Sequence, residues 1–328
     1  MKVARLKDFG DPSKVVDCDE VEDPGTPSAD EVVVKILAAP INPADLLLIE
    51  GKYATRPQLP APLGIEGAGR VVAVGSGVSQ LAVGDLVMSL GRTNWAEHVT
   101  LKAEQAVKAP PGIDPQQLAM LKVNPATAYL MLKNYRDLQP GDWVIQNAAN
   151  SGVGTNVIGL AKARGLKTVN VVRRESLEAP LKEAGADVVV LEGEDLAERV
   201  AAATDGAAIK LGIDAVAGAA TNHLAACLAE EGIVVNYGLL SGQPCQLAAE
   251  QLVFRSITLT GFWLAKLARE TPFAALQSMY AELMARLADG SLQVAVEAAY
   301  PLVDIKAALA HAGREARGGK VLLTPAQS

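Results

Sequence analysis

A glycine-containing turn is the first feature of this sequence that could do chemistry. Residues 148–154 read AANSGVG and lie between an apolar predicted strand and an apolar predicted helix. Backbone N–H groups in such a turn, together with the N-terminus of the following helix, bind the phosphates of a dinucleotide. Against the pattern G-x-G-x-x-G, Ala149 and Ser151 replace the first two glycines and Gly154 keeps the third. The alternative is a turn without a ligand, and the predicted cofactor contacts are Asn150, Ser151, Gly152 and Val153.

Two arginines follow the next predicted strand, at residues 168–172. An NAD site usually has an acidic residue at this position, because a carboxylate accepts a hydrogen bond from the ribose 2′-hydroxyl. Arg173 and Arg174 have guanidinium groups instead, which suit bidentate hydrogen bonds to a 2′-phosphate. The sequence therefore predicts NADPH as the cofactor; the alternative is a basic strand end that faces solvent.

Cysteine and histidine are too scattered to predict a metal centre. Three cysteines stand far apart in the chain: Cys18, Cys227 and Cys245. They offer neither a CxxC pair nor a disulfide framework, which favours a reducing compartment. The histidines show no ligand spacing, and we expect structural or surface roles for them: His98, His223 and His311.

Length and composition narrow the class of protein. A chain of 328 residues favours two domains, and 50% hydrophobic with 20% charged residues is typical of a globular protein. The net charge of −7 disfavours broad nucleic-acid binding, which needs clustered positive charge. The first ten residues lack the apolar run of a signal peptide, and no apolar stretch reaches the roughly 20 residues of a membrane span. We predict a cytoplasmic protein.

The order of predicted elements indicates an α/β protein. Residues 1–121 contain short Val-rich runs broken by Pro and Gly, which predicts a β-rich domain. Residues 122–268 alternate strand, turn and helix, which is typical of a Rossmann-type doubly wound parallel sheet. Its strands are predicted at 143–147, 168–172, 187–191, 209–216, 232–237 and 257–260. Residues 269–328 begin with an Ala- and Leu-rich helix and end in the alternating segment GGKVLLTP, which we expect to return to the first domain.

Several stretches resemble the medium-chain dehydrogenase/reductase superfamily, and within it the zinc-independent 2-enoyl thioester reductases. They extend over most of the chain: INPADLLLIEGKY, VNPATAYLML, LQPGDWVIQNAANSGVG, VNVVRR, VNYG, GFWL and GGKVLLT. QNAANSGVG and GFWL are distinctive of this branch, whereas NPAD and PGD occur more widely. The resemblance implies a GroES-like catalytic domain, reduction of enoyl-CoA or enoyl-acyl-carrier-protein with NADPH, and a homodimer joined along a sheet edge near residues 257–260.

The residues at the zinc position of related alcohol dehydrogenases differ here. Those enzymes have a Cys after an early strand and a His-Glu pair further on, whereas this chain has Asn42, then Ile65 and Glu66. Ile65 cannot bind a metal, so we predict activity without zinc. Glu66 is expected to be a structural partner rather than a catalytic group.

Without a metal, another group must manage the charge that forms as hydride reaches an activated alkene. A phenol keeps its proton at neutral pH, and it can stabilise an enolate oxygen or protonate the α-carbon. Tyr53 lies in the loop IEGKYATRP and, by the resemblance, matches the proton donor of the family. The alternative is a packed or exposed loop tyrosine. The family's GNYG reads Gly51-Lys52-Tyr53-Ala54 here, which leaves the choice of substrate open.

The resemblance also implies cofactor contacts outside the turn. Asn124 is expected on the nicotinamide side, although it could instead cap the helix that begins near Pro125. Trp263 is expected near the nicotinamide and the substrate entrance, although composition alone would make it a core aromatic. Lys320 matches a lysine associated with NADP; the alternative is a solvated charge. The remaining expected contacts are Tyr237, Gly238, Leu239, Leu240, Phe262 and Leu264.

Two other functions fit the same residues. Zinc-free quinone or enone reductases of this superfamily use the same fold and cofactor on other electron-poor alkenes. A protein could also retain NADPH without turnover, since fold and function are separable. We predict an NADPH-dependent 2-enoyl thioester reductase, because Tyr53 accompanies the complete set of cofactor residues.

Overall fold

The chain forms two compact units in a computed structural model, which describes residues 1–314 and 317–325. Unit 1 comprises Met1–Val123 and the described residues from Pro272 onward. Unit 2 comprises Asn124–Thr271. Each unit has its own β-structure and its own buried apolar core.

The elements are as follows. The first part of unit 1 contains β1 (Lys2–Leu6), α1 (Pro12–Val15), β2 (Val16–Glu20), β3 (Glu31–Pro40), α2 (Pro43–Ile49), β4 (Ala61–Pro62), β5 (Ala68–Val74), β6 (Leu86–Ser89), β7 (His98–Lys102), β8 (Ala106–Lys108) and α3 (Pro115–Ala119). Unit 2 contains α4 (Asn124–Asn134), β9 (Trp143–Gln146), α5 (Gly152–Ala163), β10 (Lys167–Val172), α6 (Glu178–Glu183), β11 (Val188–Leu191), α7 (Leu196–Ala203), β12 (Ile209–Asp214), α8 (Ala219–Cys227), β13 (Ile233–Asn236), α9 (Ala249–Val253), β14 (Thr258–Gly261) and α10 (Leu264–Glu270). Unit 1 resumes with α11 (Phe273–Ala288), β15 (Val296–Tyr300), α12 (Ile305–Ala312) and β16 (Lys320–Leu323).

Unit 2 is built on a six-stranded parallel sheet in the order β11-β10-β9-β12-β13-β14. Numbered from β9, this is the order 3-2-1-4-5-6 of a Rossmann fold. The strand order reverses between β9 and β12, so the carboxyl ends of these two strands flank the crevice where such folds bind ligands. The α/β class and the Rossmann-type sheet are therefore confirmed.

Unit 1 is β-rich, with two sheets. One has the order β2-β1-β4, and the other has the order β15-β16-β3-β5-β6-β8, with β7 also paired to β3. β16 pairs with β3 through Leu322 opposite Pro40. All four residues of β16 are buried. The strand lies between β15 and β3, and both of its faces are covered.

Helix α2 begins where the sequence has a strong start signal. Asn42 is its N-cap, Pro43 occupies the first turn, and Asp45 completes a capping box by accepting a hydrogen bond from the Asn42 backbone N–H at 2.9 Å. This short helix leads directly to the loop that carries Tyr53. No helix in the described part of the chain is long and apolar enough to cross a bilayer.

Candidate active site

The turn at residues 148–154 joins the carboxyl end of β9 to α5. Ser151 is the N-cap of α5, and its Oγ accepts a hydrogen bond from the Gly154 N–H at 3.1 Å. A Cβ at Gly154 would lie 2.4 Å from the Ala149 carbonyl oxygen, so only glycine fits there. Asn150 is exposed, and Gly152 and Val153 form the first turn of the helix. The turn thus directs helix N-terminal amides to the crevice, as pyrophosphate binding requires.

Two buried amides inside the sheet support this turn. Gln146 Nε2 donates to the Gly154 carbonyl at 2.9 Å and to Asn170 Oδ1 at 2.8 Å. Both side chains are fully buried. Sequence reasoning missed them, although polar residues within the apolar strands β9 and β10 were a usable signal, because buried polar groups need partners.

Asp214 at the end of β12 is a second residue that sequence reasoning missed. Its fully buried carboxylate connects the ends of three neighbouring strands. It accepts hydrogen bonds from Asn147 Nδ2 (2.7 Å), Val216 N (2.9 Å), Ala217 N (3.0 Å), Thr221 Oγ1 (2.7 Å) and Asn236 Nδ2 (3.1 Å). A carboxylate that accepts five hydrogen bonds holds the strand ends beside the crevice in fixed positions.

The segment after β13 contacts the turn. Tyr237 forms a hydrogen bond with the Ser151 side chain; burial raises the pKa of Tyr237, and this bond acts in the opposite direction. The Gly238 carbonyl accepts a hydrogen bond from Asn236 Nδ2 at 2.9 Å. Leu239 and Leu240, which follow, are exposed. Tyr237 is therefore the predicted residue of this segment that contacts the turn within unit 2.

The other predicted cofactor residues of unit 2 lie at strand and helix ends. Arg173 and Arg174 follow β10 and are exposed. Phe262 is buried after β14, and Leu264 is the first residue of α10. Trp263 is 36% exposed and has the Arg269 guanidinium 5.3 Å from its ring centroid, so it is not a core aromatic.

Asn124 opens α4 and is 7% exposed. Its Nδ2 is buried without a hydrogen-bond partner among the residues that the structure describes. A buried amide donor without a partner is costly unless a ligand or water accepts from it. The unpartnered Asn124 Nδ2 is available to donate to a bound dinucleotide, and the close packing at Gly154 leaves room for only glycine in the turn that would bind its phosphates.

Lys320 lies in unit 1 at the start of β16 and is only 8% exposed. Its ammonium donates a hydrogen bond to Asn42 Oδ1. Burial lowers the pKa of Lys320, and the carboxylates of Glu66 and Asp45 oppose that shift. The alternative of a solvated charge is therefore wrong, because the side chain belongs to a buried polar group.

Tyr53 follows α2 in unit 1 and is half-buried. Its backbone N–H donates to the Leu47 carbonyl at 3.1 Å, which keeps the loop joined to the helix. Arg56 donates two hydrogen bonds to the Gly51 carbonyl, at 3.0 and 2.7 Å, and its guanidinium lies 5.3 Å from the Phe9 ring centroid. Gly51 has φ of +72°, a conformation that favours glycine. The loop therefore has a defined conformation.

Within residues 1–314 and 317–325, no group of three His, Cys, Asp or Glu side chains could hold a metal ion. The histidines form local contacts instead. His223 Nδ1 lies 2.6 Å from Glu192 Oε1, and His311 Nε2 lies 2.7 Å from Glu297 Oε1. His98 lies 3.7 Å from Asp23.

Comparison with known families defines the class of protein. Residues 28–111 match the alcohol dehydrogenase GroES-like domain, and residues 152–288 match the zinc-binding dehydrogenase domain. Together the two domains are those of a medium-chain dehydrogenase/reductase.

Curated relatives define the family more closely. Mitochondrial enoyl-acyl-carrier-protein reductase of Rattus norvegicus is 39% identical over 92% of this chain and 82% of its own length. The enzyme of the same name from Homo sapiens is 38% identical over 96% of this chain and 86% of its own length. The chain belongs to the enoyl-acyl-carrier-protein reductase family of medium-chain dehydrogenase/reductases.

Solved structures of similar fold include some named as quinone reductases and others named as 2-enoyl thioester reductases. A Bacillus thuringiensis protein provisionally assigned as an NADPH:quinone reductase has a TM-score of 0.90 and 31% identity, over 99% of this chain and 98% of its own. The Etr1p complex with NADP and crotonyl-CoA has a TM-score of 0.87 and 27% identity, over 99% of both chains. A Candida tropicalis mitochondrial 2-enoyl thioester reductase heterodimer has a TM-score of 0.87 and 28% identity, again over 99% of both.

Proposed function

We propose that this protein reduces the C2–C3 double bond of trans-2-enoyl thioesters, carried on coenzyme A or acyl carrier protein, with NADPH. The observation that carries this function is the likeness over 99% of the chain to a structure that contains NADP and crotonyl-CoA. The identity of 38–39% to enoyl-acyl-carrier-protein reductases supports the same substrate class.

Unit 2 supplies the cofactor residues of the proposal. NADPH, when bound, supplies the hydride for the β-carbon of the substrate. The turn residues Asn150, Ser151, Gly152 and Val153 bind its pyrophosphate, and Arg173 and Arg174 bind its 2′-phosphate. Asn124 uses its unpartnered Nδ2 on the nicotinamide side. The remaining proposed contacts are Tyr237, Gly238, Leu239, Leu240, Phe262, Trp263, Leu264 and, from unit 1, Lys320.

Tyr53 has the role of acid. As hydride reaches the β-carbon, negative charge moves to the thioester oxygen, and the Tyr53 hydroxyl either donates a hydrogen bond to that oxygen or protonates the α-carbon. The hydrogen bond between the Tyr53 backbone and Leu47 supports this role, because an acid must be held in one place. No step requires a metal ion.

A quinone or enone reductase is the second candidate function. The highest TM-score given above, 0.90, belongs to the provisionally assigned quinone reductase, and a mycobacterial quinone oxidoreductase reaches 0.87 at 28% identity. Both chemistries add hydride to an electron-poor double bond, so the fold permits either.

Oxidation of NADPH with crotonyl-CoA, with a benzoquinone and with buffer alone decides between these functions. We expect turnover with crotonyl-CoA, and the same rate after exhaustive chelation. Turnover only with the quinone would favour the second candidate. No turnover with either substrate, despite NADPH binding, would favour a binding protein.

The acid role is tested by Tyr53→Phe, which keeps the ring and removes the hydroxyl. We expect kcat to fall about 100-fold, the lower end for general acid catalysis, because water can enter and donate instead. NADPH affinity should persist. Tyr300→Phe, which removes a hydroxyl bonded to His311 Nδ1, is the matched control and should keep wild-type kcat.

Single-turnover spectra of Tyr53→Phe with deuterated NADPH separate the two forms of the role. Slower hydride transfer indicates lost enolate stabilisation, whereas an intermediate that accumulates after hydride transfer indicates lost protonation. Unchanged kcat and product stereochemistry would remove Tyr53 from the mechanism.

Assembly and location belong to the same proposal. We propose a homodimer joined at the β14 edge of the unit 2 sheet; the similar Candida tropicalis reductase is a heterodimer by its name. We also propose a cytoplasmic location, because the three cysteines are free thiols and a reducing compartment keeps thiols unpaired. The curated relatives are named mitochondrial, so fractionation of cells is the deciding measurement.

A further inference from the structure

A buried group of charged and amide side chains in unit 1 lies largely outside the chemistry proposed above. We call it the carboxylate cluster, and it consists of Asn42, Asp45, Glu66, Lys122 and Lys320. Glu66 is 0% exposed. Ionised groups are costly to bury unless they are paired and hydrogen-bonded, so each contact in the cluster is informative.

Glu66 connects two distant segments with its two oxygens. Oε2 accepts a hydrogen bond from Asn42 Nδ2 at 2.6 Å, and Oε1 accepts one from the Val123 backbone N–H at 2.6 Å. Asn42 begins α2, whereas Val123 is the last residue of unit 1 before Asn124. One buried carboxylate therefore fixes the start of α2 against residues 122–123.

Helix α2 transmits this position to the loop of the proposed acid. Its seven residues span about 10 Å as a nearly rigid rod. At the far end, the backbone N–H groups of Lys52 and Tyr53 both donate to the Leu47 carbonyl, at 2.8 and 3.1 Å. A shift of Asn42 therefore moves the backbone of Tyr53.

The Asn42 amide also connects Glu66 to Lys320. Its Nδ2 donates to Glu66 and its Oδ1 accepts from the Lys320 ammonium, so the orientation of the amide is fixed from both sides. Burial raises the pKa of Glu66 while Lys320 lowers it, and the opposite pair of effects acts on Lys320. Each of these two groups thus opposes the effect of burial on the pKa of the other.

Lys122 secures the other side of Glu66. Its ammonium donates to the carbonyls of Ile65, Leu90 and Gly91, at 2.6, 2.9 and 2.6 Å. The Tyr280 hydroxyl donates to the Lys122 carbonyl at 3.1 Å. Residues 122–123, in the turn between α3 and α4, are therefore held in place by several hydrogen bonds.

We propose that Glu66 is a positioning residue for enoyl reduction, because its carboxylate fixes the start of α2 against residues 122–123 and so holds the loop that carries Tyr53. This inference rests on the proposed function, in which Tyr53 is the acid. Glu66 acts through Tyr53 and contacts no reacting atom.

The test is a double-mutant cycle on the full chain with Glu66→Gln and Tyr53→Phe. The amide of Glu66→Gln has one acceptor oxygen where Glu66 has two, so it can accept from Asn42 Nδ2 or from the Val123 N–H but not from both, and the connection between α2 and residues 122–123 breaks. We expect Glu66→Gln alone to lower kcat about 10- to 100-fold with crotonyl-CoA. In the Tyr53→Phe background the same change should cost less than about twofold, because the acid is already absent.

Isotope effects distinguish positioning from general loss of stability. In Glu66→Gln, the solvent deuterium effect on kcat and the effect of deuterated NADPH should each change in the same direction as in Tyr53→Phe, since both changes weaken the same acid. Val16→Ala, which opens a cavity at a fully buried apolar residue of β2, is the stability control. It should lower the thermal midpoint without changing either isotope effect.

The outcomes separate this inference from the function on which it rests. If the fold-loss of kcat in the double variant equals the product of the two single losses, Glu66 does not act through Tyr53, and the positioning role alone is overturned. Wild-type kcat in Tyr53→Phe would overturn the acid role and the positioning role together while leaving the enoyl reductase activity in place. Absence of crotonyl-CoA turnover in the wild type would overturn the proposed function.

A second variant keeps the test decisive if Glu66→Gln does not fold. Asn42→Ser retains a good N-cap for α2 but removes the amide that joins Glu66 to Lys320. We expect it to show the same loss of kcat and the same dependence on Tyr53. Independent losses in this variant would also overturn the proposal.

Discussion

At the scale of single residues, cofactor choice rests on two exposed arginines after β10. Replacing both Arg173 and Arg174 by Ala should raise the KM for NADPH at least tenfold and leave the KM for NADH nearly unchanged. Each charge-assisted hydrogen bond lost costs about 1.5–3 kcal/mol, and only the 2′-phosphate distinguishes the two cofactors. Steady-state kinetics with each cofactor measures the change.

Lys167→Ala is the matched control for that prediction. Lys167 lies at the other end of β10, with its ammonium 5.3 Å from the Trp143 ring centroid. Its loss should leave both KM values unchanged. Equal kcat/KM for NADPH and NADH in the wild type would contradict the assignment of the arginines.

Residue types adjacent in sequence were predictable, whereas contacts between distant residues were not. The turn at 148–154 and the arginine pair could be interpreted because their function depends on local spacing. Glu66 and Asn42 form a hydrogen bond although they are 24 residues apart in the sequence, and Asn42 and Lys320 do so although they are 278 residues apart. No local sequence pattern encodes such pairs. Lys320 was for that reason assigned a solvated alternative, although the fold buries it.

At the scale of elements, Asp214 holds three strand ends in register. Asp214→Asn should raise the KM for NADPH several-fold, because its amide NH₂ would face Asn236 Nδ2, which also donates to the Gly238 carbonyl. The affinity for NADPH, measured by fluorescence titration, should fall in parallel.

Thr221→Val serves as the control for Asp214→Asn. It removes only the hydrogen bond from α8 to Asp214, at 2.7 Å, and leaves the bonds to the strand ends intact. The thermal midpoint should fall while the KM for NADPH stays near the wild-type value. Equal effects of the two changes on KM would show that Asp214 acts through stability alone.

The first turn of α2 should make stability depend on pH. Burial raises the pKa of Asp45 from 3.8 to about 7. Between these values the folded protein keeps a proton that the unfolded chain has released, so this group's contribution to stability falls as pH rises. The difference in unfolding free energy between wild type and Asp45→Asn should therefore fall by up to about 1.4 kcal/mol per pH unit across this window.

Asp85→Asn provides a control of opposite sign. The hydrogen bond from Lys108 holds the pKa of Asp85 below its ordinary value of 3.8. Its contribution to stability is present above that value and is lost as pH falls. Denaturant titrations of both variants from pH 3 to 8 measure the slopes, that of Asp85 in the lowest part of the range and that of Asp45 above it. The same slope for both would refute the interpretation.

Strands of unit 2 were predictable because parallel strands are buried on both faces and form short apolar runs. The predicted strands at 143–147 and 168–172 match β9 and β10 to within one residue at each end. The run at 209–216 extends beyond β12, which ends at Asp214, because the backbone turns there to donate from Val216 and Ala217 to the carboxylate. Hydrophobicity alone cannot show this turn.

At the scale of the whole molecule, one edge of the unit 2 sheet is suited to a second copy of the chain. β14 pairs with β13 on one side and forms the end of the described sheet on the other. Phe254, just before it, is 78% exposed, and Leu252 and Val253 beside it are exposed too. An unpaired edge next to an apolar patch favours association, and a two-fold axis would pair β14 with its own copy.

Light scattering at micromolar concentration should therefore give about twice the monomer mass of 34.2 kDa. Phe254→Glu should shift the protein to monomer, because a charge would be buried at a symmetric apolar contact and meet its own copy. Val83→Glu adds the same charge at a residue of unit 1 that is 63% exposed, and it should leave the mass unchanged. A wild-type mass of 34.2 kDa would reject the dimer, and a dimer that persists in Phe254→Glu would move the interface away from this patch.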